Sequence, residues 1–269
     1  MSKTALVTGA SAGLGLELAR LLAADRHDLV LVARRRDRLE QLAAELERVH
    51  AVRAHVLAED LADPAAPARI VEELGRRGLE IEVLVNNAGF GANGPFAELD
   101  AARQVGMVQV NVTALVELTR RLLPPMIARG AGRILNLGST AGFQPGPFMA
   151  VYYASKAFVN SFSEALSFEL RGTGVTVTVS CPGPTDTEFG AIAGNDKSRL
   201  FAIGSMSAAE VARHAYAAMM RGRPLAVPGL LNKAGVQSVR LAPRSALRRI
   251  AAALNRAGRA PSSAPPAAS

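Results

Sequence analysis

The sequence contains one cysteine, Cys181, no tryptophan and three tyrosines, and aromatic residues make up 4% of its 269 positions. A lone cysteine excludes an intrachain disulfide and a thiolate metal cluster, and it is the usage expected in a reducing compartment. No window approaches 18 consecutive apolar residues, which excludes a membrane-spanning helix. The first 20 residues hold one lysine and only four or five apolar positions before Thr8-Gly9-Ala10-Ser11, too few for a signal peptide, so a cytoplasmic location is expected. Acidic residues are absent from 221–269, which carries nine Lys or Arg. The net charge of +8 resides there, because the 22 basic and 23 acidic residues of 1–220 nearly cancel. Nucleic-acid binding would need a basic folded face with a recognition element, and the sequence has no such motif.

What is present is a composition of 49% hydrophobic and 20% charged residues, enough for a full core in a chain the size of one large α/β domain. Apolar runs of strand length alternate with segments of 3.6-residue period. The strands are expected at 5–8, 29–33, 52–57, 81–85, 133–137 and 175–180, with a short seventh at 225–227. The intervening helices include 65–78, 100–129 and 152–171. This pattern predicts an α/β fold, a doubly wound, Rossmann-like parallel sheet of six to seven strands with helices on both faces and a ligand site at the C-terminal strand ends. One domain is expected over 1–235, followed by a basic amphipathic helical extension over 236–258 and a disordered tail over 259–269. Residues 183–206 break the rhythm and are too long for an ordinary connection, as functional or disordered loops are.

Thr8-Gly9-Ala10-Ser11-Ala12-Gly13-Leu14-Gly15 follows the first strand and opens a helix, the setting in which glycines let backbone N–H groups approach a pyrophosphate. Tyr152 and Lys156 lie four apart at the start of a predicted helix and so share one face. An ammonium beside a phenol should lower the phenol pKa by roughly one to three units, into the range useful for proton transfer. Tyr153 has alanine four residues on and is turned about 100° away, which suits a packing or pocket residue.

With these motifs the chain resembles a classical short-chain dehydrogenase/reductase of the NADP-preferring type, over roughly residues 3–230. Thr8–Gly15 resembles the family's cofactor loop, Asn86-Asn87-Ala88-Gly89 its strand-four signature, and Ser139 with Tyr152-x-x-x-Lys156 its catalytic set. The resemblance implies cofactor contacts from Gly9, Ser11, Gly13, Leu14 and Gly15, from Asn87, and from Pro182, Gly183 and Thr187 on the nicotinamide side. Asp60-Leu61 resembles the segment that brackets adenine. It further implies that Ser139 donates a hydrogen bond to the substrate carbonyl oxygen, that Tyr152 protonates that oxygen, and that Lys156 tunes Tyr152 and holds the nicotinamide ribose. Asn111 matches the position that holds a proton-relay water, although a buried Asn satisfied by backbone fits it equally well. Ser139 has Thr140 as a neighbour able to serve, or is a simple strand-end cap. Asn87 has a structural role open to it, tying strand ends.

At the end of the second strand an acidic residue would select a 2′-hydroxyl and a basic one a 2′-phosphate. Ala33 takes the acidic position and Arg34-Arg35-Arg36 follows, so NADP(H) is the expected cofactor, with Arg34 at the phosphate. Phe90, Phe143, Gln144, Phe148, Phe189 and Phe201 come from segments near the site and would make the pocket largely apolar, or belong to the core. The expected activity is NADPH-dependent carbonyl reduction of a ketone or aldehyde on an apolar body. The alternatives are a 3-oxoacyl-thioester reductase and a non-catalytic NADP-binding subunit. A homodimer or homotetramer through the helices near 100–129 and 152–171 is implied. The segment Pro243–Ala257 places Ala246, Leu247, Ile250, Ala251 and Leu254 on one helical face and Arg248, Arg249 and Arg256 on another. That stripe either docks on the protein's own body or a sister subunit, or lies on an anionic membrane surface or acidic partner.

Overall fold

The computed structural model describes residues 3–194, 204–239 and 241–256. Seven parallel strands, β1 (Thr4–Thr8), β2 (Asp28–Ala33), β3 (Ala54–Ala58), β4 (Ile81–Asn86), β5 (Gly132–Leu137), β6 (Val175–Ser180) and β9 (Leu225–Ala226), pair in the order β3-β2-β1-β4-β5-β6-β9. The strand order reverses between β1 and β4, which opens a crevice at their C-terminal ends. The strands read as continuous apolar runs because both faces are covered. Ala5, Val7, Leu29 and Leu31 face a layer that includes α1 (Gly13–Ala24), α2 (Arg36–His50) and α8 (Ala208–Met220). Leu6, Val30, Val32 and Leu84 point the other way, toward α3 (Ala66–Arg76), α5 (Ala114–Arg129) and α6 (Ala150–Glu169).

Two expectations are corrected. The predicted helix over 100–129 is three pieces: α4 (Ala101–Val108), a π turn over Gln109–Thr113, and α5. The wider turn accommodates an extra residue, and Asn111 within it is 2% exposed. The 183–206 stretch carries order as well: β7 (Thr185–Asp186) pairs in parallel with β8 (Met206–Ser207), and α7 (Glu188–Ala193) lies between them. Phe201 and the expected disordered tail lie outside the described residues. Beyond α8, α9 (Leu230–Ser238) leads to α10 (Arg244–Asn255). On α10 Leu247 and Ala251 are buried against the body, whereas Ile250 is exposed. Two of the five residues of the apolar stripe are thus committed within the protein itself, with Ala246 and Leu254 half-buried. No helix among the described residues is long and apolar enough to cross a membrane.

Candidate active site

At the crevice, the ends of β1 and β4 are latched by a local network. Thr8 Oγ1 donates to the Val85 carbonyl (3.2 Å) and accepts from the Asn87 and Ala88 amides (3.0 Å each). Asn87 Nδ2 donates to the carbonyls of Thr8 (2.9 Å) and Gly9 (3.2 Å), so its amide is structural as well as cavity-lining. Gly9 has a left-handed φ of +67°, and a Cβ there would sit 2.7 Å from Asn87 Nδ2. A Cβ on Gly15 would collide with the Gly9 carbonyl oxygen, and Gly15 is absent from the cavity wall. Its role is close packing of the turn. No side chain caps α1 and no acid occupies its first turn, so its orphan N–H groups open beside Gly13 and Leu14, which do line the cavity. That is the chemistry of an anion cradle.

Arg34 and Arg35 border the same cavity near β2. Arg34 is exposed and 4.0 Å from Asp60, whose Oδ1 accepts from the Ala62 amide, with buried Leu61 between them in sequence. Arg35 donates to Ser11 Oγ through Nε (3.3 Å) and Nη2 (3.2 Å) and pairs with Glu188 at 2.9 Å. Arg36 departs from the expected three-arginine cluster: it pairs along α2 with Glu40 at 3.6 Å and does not line the cavity.

The other end of this cavity, of about 660 Å³, holds Ser139, Tyr152 and Lys156. Ser139 stands just past β5, where its Oγ accepts from the Ala141 amide (3.1 Å) and donates to the Pro182 carbonyl (3.4 Å), capping a short 3₁₀ turn. Tyr152 lies in the first turn of α6 and Lys156 one turn on. Lys156 Nζ donates to the Leu137 carbonyl at 2.6 Å and sits 5.9 Å from the Tyr152 ring centroid. Burial pushes the Tyr152 phenol up to about 12, against a hydrogen bond with Ser139 that pulls it down. Burial likewise brings Lys156 down to about 8, with the Cys181 thiol acting in the opposite direction. The expected lowering of the phenol is thus reversed, because desolvation disfavours the charged form of both groups.

Asn111 lies outside the cavity wall. Its Oδ1 accepts from the Phe90 amide (3.0 Å), and its Nδ2 donates to the Phe90 carbonyl (3.0 Å) and Ser155 Oγ (3.1 Å). Its amide is fully engaged in joining the end of β4 to α6. Pro182, Gly183 and Thr187 line the cavity on a strap that returns over the glycine turn: Thr187 caps α7, and a Cβ on Gly13 would lie 3.2 Å from Thr187 Cγ2. Phe189 on α7 stands against Tyr152 with centroids 5.2 Å apart. Of the aromatic and polar wall expected from sequence, Phe90, Gln144 and Phe189 line the cavity, whereas Phe143 and Phe148 do not. Among the described residues no cluster of His, Cys, Asp or Glu is arranged to hold a metal ion.

A family model described as short chain dehydrogenase matches residues 3–198. The chain belongs to the short chain dehydrogenase family of oxidoreductases. Similar relatives include sulfoacetaldehyde reductase 2 of Chromohalobacter salexigens, 42% identical over 191 residues that cover 70% of this chain and 75% of that protein. The human very-long-chain 3-oxoacyl-CoA reductase is 34% identical over 186 residues, covering 68% of this chain and 59% of its own length. Among solved structures, a short-chain dehydrogenase from Sphingobium yanoikuyae in complex with NADPH superposes with a TM-score of 0.80 at 35% identity, over 89% of this chain and 94% of that one.

The part of this dehydrogenase beyond the family match packs behind one wall of the cavity through α10. Asn255, at the last turn of α10 and fully buried, accepts from Tyr153 Oη (3.2 Å), donates to the Pro147 carbonyl (3.0 Å) and receives Asn93 Nδ2 on its own carbonyl (2.8 Å). Tyr153 also lines the cavity, with its hydroxyl bonded to Asn255. Neither Asn255 nor the Glu188 bridge to Arg35 and Arg38 was singled out from sequence. No short-range spacing marks them, since Glu188 meets residues about 150 positions away.

Proposed function

We propose that the protein is an NADPH-dependent carbonyl reductase, reducing a ketone or aldehyde on an apolar body and running as an alcohol dehydrogenase in reverse. The observation that carries this reading is a single cavity with an uncapped helix N-terminus and two arginines at one end and Tyr152, Lys156 and Ser139 at the other. The residues fit a phosphorylated dinucleotide: glycines clear the turn for close approach, Gly13 and Leu14 offer main-chain donors, and Arg34 and Arg35 supply charge for a 2′-phosphate. When bound, the nicotinamide supplies the hydride.

The chain's own residues hold and move the proton. The desolvated Tyr152 stays protonated at neutral pH, as a donor to a developing alkoxide must. Ser139 Oγ, released from its long bond to the Pro182 carbonyl, is placed to donate to the same oxygen. Lys156, as the ammonium, stabilises the tyrosinate left behind and returns a proton to it, and Asn111 keeps Phe90 and Ser155 in register beside this path, where the relay water of the family resemblance belongs. The two relatives above, named as an aldehyde reductase and a 3-oxoacyl thioester reductase, support carbonyl reduction and keep the thioester class as the second reading. Self-association is part of the proposal, supported by exposed Val105 and Val108 on α4 and Phe158 and Phe168 on α6. The test is steady-state NADPH oxidation against ketones, aldehydes and acyl thioesters with the parent and Tyr152→Phe. Turnover should fall about 100-fold or more in the variant while NADPH still binds. Binding of NADPH without reduction of any carbonyl would instead identify a non-catalytic subunit.

A further inference from the structure

Charge along the cavity wall is almost entirely paired. Its three carboxylates each face an arginine: Glu59 meets Arg69 at 2.7 Å, Asp60 meets Arg34 at 4.0 Å, and Glu188 meets Arg35 and Arg38 at 2.9 and 2.6 Å. Of the four cations on the wall, Arg34 and Arg35 belong to the β2 end and Lys156 is buried beneath Tyr152. The fourth, Arg103, stands on the first turn of α4 beside Phe90 and Ile192; Asp100 accepts from its backbone N–H, and no carboxylate among the described residues pairs with its guanidinium.

Arg103 is nevertheless held in place. Its Nη2 donates to the carbonyls of Ile192 (2.6 Å) and Gly91 (3.3 Å), and its guanidinium carbon lies 5.6 Å from the Phe90 ring centroid. One terminal nitrogen and one face are thereby committed. Nε and Nη1, with three N–H groups between them, have no acceptor among the described residues. A planar fork fixed along one side and open along the other is the arrangement that receives an oxyanion bidentately, and the ordering entropy of the long side chain has already been spent.

We infer that Arg103 forms an anion-binding subsite and that the substrate is a carbonyl compound carrying a carboxylate, sulfonate or phosphate group. This rests on the carbonyl-reductase reading of the same cavity and adds to it a recognition element at the end opposite Arg34. The substrate's anion meets Arg103, its body runs along Phe90 and Phe189, and its carbonyl reaches Tyr152 and Ser139. Because Arg103 is exposed, the attraction is screened by salt, and KM for the charged substrate rises with ionic strength.

The experiment has two arms. In the first, NADPH-loaded protein is titrated calorimetrically with butane-1-sulfonate. Saturable binding that is lost in Arg103→Gln and partly regained in Arg103→Lys is expected; no binding to the parent, or equal binding to Arg103→Gln, overturns the subsite. In the second, ω-carboxylated ketones and aldehydes are compared with their methyl esters as substrates. The ratio of kcat/KM for acid over ester should exceed one in the parent and fall about tenfold in Arg103→Gln, mostly through KM. A fall by the same factor for both members would mean that Arg103 only ties Gly91 to Ile192. If neither series is reduced while butane-1-sulfonate still binds through Arg103, the carbonyl-reductase reading fails and the anion subsite stands.

Discussion

Replacing Lys156 with methionine removes a buried ammonium whose pKa is held at about 8, against an ordinary 10.5. The unfolded chain holds this proton more tightly than the folded one, so burial costs stability. That cost is complete below about pH 8 and shrinks as pH rises toward 10.5, where the unfolded lysine also becomes neutral. At about 1.36 kcal/mol per pH unit, the gap is worth about 3 kcal/mol. Methionine fills a similar volume but leaves the Leu137 carbonyl without the donor it has at 2.6 Å, which returns about 1 kcal/mol. The net gain at pH 7 is about 2 kcal/mol, or roughly 4–8 °C in Tm for a chain of this size. Thermal unfolding of both proteins without cofactor, followed by circular dichroism from pH 6 to 10, provides the measurement. Lys156→Met should be the more stable protein at neutral pH, lose that advantage as pH passes 8, and lack turnover throughout. A variant less stable at pH 7, or an advantage that ignores pH, would refute the argument that this amine is held against a desolvation cost.

Arg34→Asp places a carboxylate beside Asp60 where a phosphate is expected, and it should reverse the ratio of kcat/KM for NADPH over NADH; an unchanged ratio, or a parent that already favours NADH, removes Arg34 from the phosphate site. Asn255→Leu leaves the Tyr153 hydroxyl and the Pro147 carbonyl unpaired in the interior, at about 1–3 kcal/mol each, so Tm should drop and the carbonyl substrate's KM should rise while the NADPH dissociation constant holds. Tyr153→Phe, which forfeits only the 3.2 Å bond, should cost about 1 kcal/mol with mild kinetic effect; a loss of turnover matching Tyr152→Phe would show that the proton donor has been misassigned.

The sheet was legible because its strands are buried on both faces, so Leu29-Val30-Leu31-Val32 reads as one apolar run whether a given side chain points to α1 or to α3. The glycine turn and the Tyr152–Lys156 pair were legible because their geometry is local, within one turn of helix or loop. What stayed hidden depends on distance or on surroundings. The π turn at Gln109–Thr113 leaves no break in the apolar periodicity, so one helix was expected where there are three pieces. The pKa direction of Tyr152 required knowing how little water reaches it. Glu188 and Asn255 act through partners 102 to 162 residues away, Arg103 reaches Ile192 across 89, and a single sequence carries no spacing rule for such pairs.

The tie between Asn93 and Asn255 spans 162 residues, and this separation has a consequence in time. A ribosome adding about 5–20 residues per second needs on the order of 10 to 30 s between them. The glycine turn and its Asn87 latch involve residues 8 to 88 and can assemble early, with the nucleotide end of the crevice. Tyr153 and Pro147 emerge later and must wait for the last turn of α10 before their buried polar groups find Asn255. During synthesis the glycine turn and its Asn87 latch are thus complete before the wall at Tyr153 has its last support.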